Sequence, residues 1–506
     1  MSFVRRPSSL PVHAVGRALV VMILGLLAPS LGSTSEQTAP SSNPQLPAAA
    51  RYHVTMRPGS LRLAVRASLP VSGRELRMGD SWPAGIPETD SLGWCGLVSG
   101  LEATDASGRR LELSVTGVNR WQFAQPVTGM IELRYEVDYE RLRLRDWPAP
   151  REAASADSSH LALVGRSLFV TTPGAGAGEV AFMLPHGWRA VTAWSPKQGA
   201  RATFRFAAPE ELLENLCVLT RGATDDVAVG DFRLHVVAMG PWQSSRAEVR
   251  RVLEPVVRRF VAVMGVAHPV DYLVVLLPQA DSGGESYRSS FALTVETPPS
   301  AATRTAWGKV IAHEIFHLWN GWQLHGEDYA STQWFQEGFT EYAAMSAMVR
   351  TGLMSPEEFL DQLSTHLQNY RRLTTTLEAI GGRKGPPLYG GGALTAFAWD
   401  VMIREATSGR RSLADFWGEF LRETQGGERA YAWPDVRAAL TRVAPLDWEG
   451  YYQSHVRGAV PVPFETVLPS AGLRLQRAAS GVERFASDSA AAPGARRLWL
   501  GLVAAE

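Results

Sequence analysis

Three things are scarce in this chain of 506 residues, and each scarcity closes off a class of explanation. Cysteine occurs only at Cys95 and Cys217, too far apart in sequence for thiolate metal-ligand spacing, which excludes a disulfide-dense scaffold and a cysteine-based zinc module. A single disulfide between the two stays open, beside two small buried thiols. An excess of charge of one sign is also missing, since 50 Lys and Arg balance 50 Asp and Glu. The composition therefore offers nothing to hold nucleic acid or an anionic membrane as the main partner. Long apolar runs are the third shortage. The one at the N-terminus, Ala18 to Ala28, is about half of the ~20 residues needed to span a bilayer.

That run follows Arg5, Arg6 and Arg17 and ends in Pro29-Ser30-Leu31-Gly32-Ser33, the pattern of a secretory signal over residues 1–33. It predicts an exported protein, periplasmic or extracellular, with no stable membrane insertion once the signal is removed. No cysteine near the cleavage region offers a lipid attachment point. Residues 34–50, rich in Ser, Pro, Ala and Gln, read as a disordered leader.

The remainder has the ordinary balance of a globular chain, 45% apolar and 20% charged, and its length suggests several domains. From residue 51 to about 240, short alternating runs such as Leu61-Arg62-Leu63-Ala64-Val65-Arg66 predict an antiparallel β domain. Its histidines (His53, His160, His186 and His235) lack metal spacing. Ser245 and Glu248 have the spacing of a capping box ahead of a helical stripe from Val249 to Val257, with Pro255 inside it. Asp271 to Leu277 predicts a buried strand, and Ser282 to Ser286 a turn before a second strand, Ser290 to Val295. The second half is mainly helical: Phe335 to Arg350, a helix opened by Ser355-Pro356-Glu357-Glu358, then Ala393 to Ile403, Leu413 to Leu421 and Val436 to Val443. In the tail, Leu498 to Val503 resembles an orphan strand.

Chemistry concentrates at His313-Glu314-Ile315-Phe316-His317. On a helix, residues four apart share a face, so His313 and His317 can turn two imidazoles to one metal ion. A catalytic zinc takes three protein ligands and keeps one position open, and Glu337 in Trp334-Phe335-Gln336-Glu337-Gly338-Phe339 is the natural third. The polar motif is embedded among Val310, Ile311, Ile315, Phe316 and Leu318, where buried polar groups require partners such as a metal. Glu314 is placed to take a proton from water and pass it to a leaving amine. Glu341, four residues beyond Glu337 on the same face, is placed to fix the ring of His313, the alternative being a solvated carboxylate. Tyr389, in Pro387-Leu388-Tyr389-Gly390-Gly391-Gly392, is a candidate to stabilise developing charge, although a packed core tyrosine is the commoner case.

His-Glu-x-x-His-x-Trp-Asn at 313–320 followed by Trp-Phe-x-Glu-Gly-Phe-Thr-Glu-Tyr at 334–342 resembles the glycyl aminopeptidase family of gluzincin zinc metallopeptidases. The similarity runs from about residue 51 to 475. It implies an α+β multidomain fold, with an N-terminal antiparallel β domain (51–240), a thermolysin-like zinc peptidase domain (241–400) and a C-terminal helical domain (401–475). It also implies one Zn2+ per chain, peptides as substrate, and cleavage at N-terminal residues, often small ones. Tyr389 falls where the family places its transition-state tyrosine. The family's Gly-Gly-x-Glu-His, whose glutamate anchors the substrate amine, corresponds here to Gly283-Gly284-Glu285-Ser286-Tyr287, with the glutamate displaced by one. Either a bulge returns Glu285 to the site, or the anchor is missing and an endopeptidase or altered specificity becomes the alternative. The residues after 475, a short tail over 476–506, leave room for only a remnant of the PDZ domain usual in the family. A non-catalytic peptide-binding protein on a peptidase scaffold is the reading of another class. The retained set of two His, two Glu and a Tyr argues against it.

Overall fold

The structure is a computed structural model, and it describes residues 49–80, 92–140, 154–200, 202–266, 270–278, 283–381, 385–477 and 481–505. The expected signal segment and most of the expected leader lie outside the described residues. Alternation dictates the front of the chain. Strand Ala50–Met56 buries every second side chain, and Arg62–Arg77 pairs with it and with Arg120–Asp138 in one nine-stranded sheet. The sheet is antiparallel except where Ala50–Met56 runs parallel to Gly178–Met183. A four-stranded sheet contributes Leu161, Leu163, Cys217 and Leu219 to the same core, around Tyr52, Trp94, Phe169 and Trp194. Cys95 and Cys217 are both buried and both free, so the disulfide alternative is not realised. Burial raises both thiols, that of Cys95 to about 12.

The third sheet positions the site. Its order is Thr224–Val229, Phe232–Ala238, Val270–Pro278, Ser290–Val295 and Gly283–Tyr287. The two strands before residue 240 thus join the sheet beneath the motif helix, ahead of the expected domain boundary. Period-two alternation marks a strand without saying which sheet it will enter. Val237, Leu273, Val275 and Ala292 face the four-stranded sheet, while Val236, Val274, Leu276 and Phe291 face the helices. Gly283–Tyr287 is an edge strand rather than the expected turn. Its backbone pairs residue by residue with Ser290–Val295, and glycine's weak strand preference yields to that pairing.

Helix Arg246–Met264 contains Pro255 as expected, but Ser245 makes no side-chain cap. Glu248, the would-be partner in that box, binds Arg304 instead, at 2.8 Å from its Nε. The motif helix is Arg304–Phe316, and the helix carrying Glu337 is Tyr329–Arg350. The latter begins six residues before the apolar pattern does, because Asp328 accepts hydrogen bonds from the backbones of Ala330 and Ser331. The Ser355 capping box is present on helix Pro356–Tyr370. Tyr389 lies in the first turn of Pro386–Ala406. This helix crosses the glutamate helix where Gly338 meets Gly392, so closely that a Cβ on either would run into the other's backbone.

The tail departs from its expected form. Leu473–Arg477 and Glu483–Ser487 make a two-stranded sheet, and Pro493–Val503 is a helix where an orphan strand was anticipated at 498–503. The backbone of the apolar run pairs within its own helix, and Leu502 and Val503 seal against the helical core. Among the described residues no helix is long and apolar enough to cross a membrane.

Candidate metal centre

Two helices and one strand edge build the site. His313 and His317 stand one turn apart on the motif helix, and Glu337 enters from the glutamate helix, all three buried. The Nε2 atoms of the two histidines are 3.1 Å apart, and each lies 3.4 Å from Oε2 of Glu337. Among the described residues this is the one His/Cys/Asp/Glu group able to surround an ion.

The partners on the far sides of the rings decide what this triangle is. His313 Nδ1 is 2.9 Å from Oε2 of Glu341, and His317 Nδ1 is 2.9 Å from the carbonyl of Asn320. Both partners are acceptors, so both Nδ1 atoms carry the proton, and in neutral rings both Nε2 atoms present lone pairs. Two lone pairs and a carboxylate oxygen would repel at these separations unless a cation lies between them. Tetrahedral zinc with bonds of about 2.0–2.1 Å sets its ligand atoms roughly 3.3 Å apart, which is the spacing observed. The donor set fits zinc. Without metal, a proton takes that place. Burial pulls His313 down, but Glu337, Glu341 and Glu314 outweigh it and raise its pKa to about 10.

Glu341 is held by more than His313. Lys309 Nζ lies 2.5 Å from its Oε1 and His366 Nε2 lies 3.1 Å from the same oxygen. Burial opposes its charge, but Lys309, His313 and His366 prevail and hold the carboxyl well below the usual range. Lys309 stands four residues before His313 on the same helix, a spacing that sequence could have used. His366 arrives from a separate helix, and nothing local announces it. Asn320 closes the motif, and its side-chain Nδ2 donates to Gln336 O at 3.0 Å, Phe335 O at 3.3 Å and Thr340 Oγ1 at 3.1 Å. It latches the end of the motif helix to the helix that carries Glu337.

Glu314 is buried beside the triangle, where desolvation raises its pKa, with Glu285 and Glu337 adding to the rise against the pull of His313 and His317. Gly284 packs directly on it, and a Cβ there would collide with the Glu314 carboxyl. The ring of Tyr389 lies 5.8 Å from that of His313, centroid to centroid. Thus His313, Glu314, His317, Glu337, Glu341 and Tyr389 are brought together, along with Gly283 and Gly284 at the strand edge.

Glu285 is the exception. The edge strand runs in unbroken register, Gly284 opposite Leu293, Glu285 opposite Ala292 and Ser286 opposite Phe291. Cross-strand partners share a face, and successive residues alternate. Gly284 and Ser286 therefore face the motif helix with Phe291 and Leu293, while Glu285 and Tyr287 share the opposite face with Ala292. No bulge interrupts the register, so Ser286 occupies the position facing the site, while Glu285, on the other face of the edge strand, still acts on Glu314 through its charge. Away from the centre, buried His160 lies 2.9 Å from Asp157, and half-buried His235 sits between Asp226 and Asp271.

Comparison with known proteins agrees with this geometry. Residues 307–378 match the M61 glycyl aminopeptidase family and residues 91–215 match the Peptidase M61 N-terminal domain. Models of the M61 peptidases thus match this chain both at its front and at its metal centre, as expected of a zinc metallopeptidase. Among solved structures, an aminopeptidase N family protein from Idiomarina loihiensis is similar at 18% identity, over 85% of this chain and 79% of that one, with a TM-score of 0.69. The M1 zinc metallopeptidase from Deinococcus radiodurans is similar at 17% identity, over 82% of this chain and 95% of that one, TM-score 0.53. A mutant of it bound to a Tyr-Ser-Ala substrate aligns over the same shares at 17% identity, TM-score 0.52. At these identities the structural likeness concerns the fold. No curated protein matches.

Proposed function

We propose that this chain is an exported aminopeptidase that releases small residues from the N-termini of peptides, holding one zinc ion on His313, His317 and Glu337. The observation that carries this reading is the triangle of acceptor atoms at zinc-ligand spacing with Glu314 beside it. When bound, zinc supplies Lewis-acid polarisation and brings the pKa of a ligated water to about 7. Glu314 takes a proton from the attacking water on its carboxylate and returns it to the nitrogen of the leaving amine. Its raised pKa suits it to carry the proton in both directions. The Tyr389 hydroxyl donates a hydrogen bond to the substrate oxygen on which negative charge develops. Glu341 fixes the ring of His313, and the strand edge Gly283–Tyr287 offers backbone groups to an extended peptide.

A peptide-library digest with and without a chelator tests the reading. Zinc-dependent release of single N-terminal Gly or Ala supports it, and digestion unaffected by chelation overturns it. Export is read from the charged and apolar pattern of residues 1–33, and cell fractionation measures it. A second reading rests on Ser286. The residue facing the site carries no charge for a substrate amine, which favours an enzyme that tolerates a blocked N-terminus. Equal cleavage of N-acetylated and free peptides would select that endopeptidase version.

A further inference from the structure

A second cavity, of about 270 Å³, opens beside the N-terminal end of the helix that supplies Glu337. None of the residues of the metal centre lines it. Its apolar walls include Trp334, Trp433 and Tyr452, and its acids are Glu327, Asp328 and Glu378. Trp433 and Tyr452 stack with centroids 3.9 Å apart and planes 10° apart, and Trp334 lies 6.3 Å from Tyr452. The Trp433 indole N–H is committed to Glu449 at 2.8 Å, which fixes that ring in place. Two of the acids are fixed as well. Glu378 accepts from the Tyr452 hydroxyl at 2.8 Å and from Arg457 at 3.0 Å, and Asp328 caps the helix, where Ser331 holds its pKa down.

The charge of this cavity is one-sided. Three carboxylates line it and no Lys, Arg or His does. Arg457 offsets one of them from outside, and the nearby Arg429 is taken by Asp435 at 2.7 and 3.1 Å. A rigid aromatic wall with carboxylates around it attracts a cation by the ring quadrupoles and by direct charge, while the apolar surface covers a hydrocarbon stem. We propose that this cavity is a second binding site, which takes an ammonium or guanidinium group on an apolar stem. Trp334 precedes Glu337 by three residues, about 4.5 Å of helix rise, so the cavity and the centre that would hold a peptide are built on the same helix. The cation is then a basic side chain of that peptide or a free small molecule.

Agmatine is the probe, titrated calorimetrically into zinc-loaded enzyme whose metal centre is saturated with a peptide hydroxamate. The expected result is binding that Trp433→Leu and Glu327→Gln each weaken at least tenfold, with zinc content and hydrolysis of alanine p-nitroanilide unchanged. Glu327 is exposed, so its variant keeps the fold even where the tryptophan variant does not. Absence of agmatine binding, or equal binding by Glu327→Gln, overturns the proposal. Neither result touches the peptidase reading, because no hydrolysis is measured in that titration. The second arm compares KM for peptides with arginine or citrulline downstream of the cleaved bond. A lower KM for arginine that disappears in Glu327→Gln assigns the site to substrate side chains, and equal KM values beside agmatine binding assign it to a free cation.

Discussion

The two histidines of the metal centre present the same Nε2 atom to the same point and are held there by opposite means. His317 rests on a neutral acceptor, the backbone carbonyl of Asn320. His313 rests on Glu341, a buried carboxylate that Lys309 and His366 also hold. A carbonyl fixes a tautomer. A carboxylate fixes it and also makes the ring a stronger base. The charged side therefore sets the affinity of the centre for its metal, and the neutral side sets its shape, since the Asn320 side chain ties the two ligand helices together.

The largest effect separates holding the metal from using it. Glu314→Gln touches neither support, so zinc content should stay unchanged while kcat falls by about 10²–10⁴. Parallel loss of zinc would show that Glu314 helps hold the ion. Next comes the contrast between the supports. Glu341→Gln should weaken zinc binding by about 10–100-fold, whereas Asn320→Ala leaves the carbonyl in place and should change it little. That second variant should instead lose stability by about 1–3 kcal/mol, because buried acceptors on the glutamate helix lose their partner. Chelator competition and thermal unfolding on the same pair measure both, and a reversed order would break the comparison.

The pH dependence sharpens it further. His313 is raised to about 10 in the metal-free site, so zinc must displace a proton. Affinity should climb by up to about tenfold per pH unit toward 10, and equal Kd values at pH 6 and 8 would refute the assignment. The stability of the apoprotein moves the other way. A raised folded pKa contributes fully below the ordinary value near 6.5, and its contribution fades as pH rises through about 10. Glu341, depressed, contributes above the ordinary carboxylate value and is lost on acidification. The smallest effect lies at the start of the glutamate helix. Asp328→Ala should cost about 1 kcal/mol in denaturant unfolding and leave zinc affinity alone.

What could be read from the residues follows a physical line. Helix period placed His313 and His317 on one face, and the same period aligned Glu337 with Glu341. Local interactions settled these, so local reading was enough. Alternation marks Phe232 to Val237 as a strand and a continuous apolar run does the same for Asp271 to Leu277, but their common sheet depends on pairing across thirty-odd residues. The tail helix Pro493–Val503 was misread because an apolar run of that length is compatible with either period, and only its neighbours decide. The cap at Ser245 failed for a related reason: Glu248 found a better partner in Arg304, a contact invisible to spacing.

The sequence by itself determined the reactive set: two imidazoles one turn apart, a carboxylate beside them, and a third ligand on a following helix. Spacing along a helix is a local constraint, and it survives whatever the rest of the chain does. Tertiary structure decided everything that depends on direction between segments. It brought Lys309 and His366 onto Glu341, gave Asn320 its latch, and set Glu327 and Trp433 around one cavity. It also set Ser286 and not Glu285 on the strand face toward the motif helix, because a strand's faces are fixed by the register of its neighbour and not by its own residues.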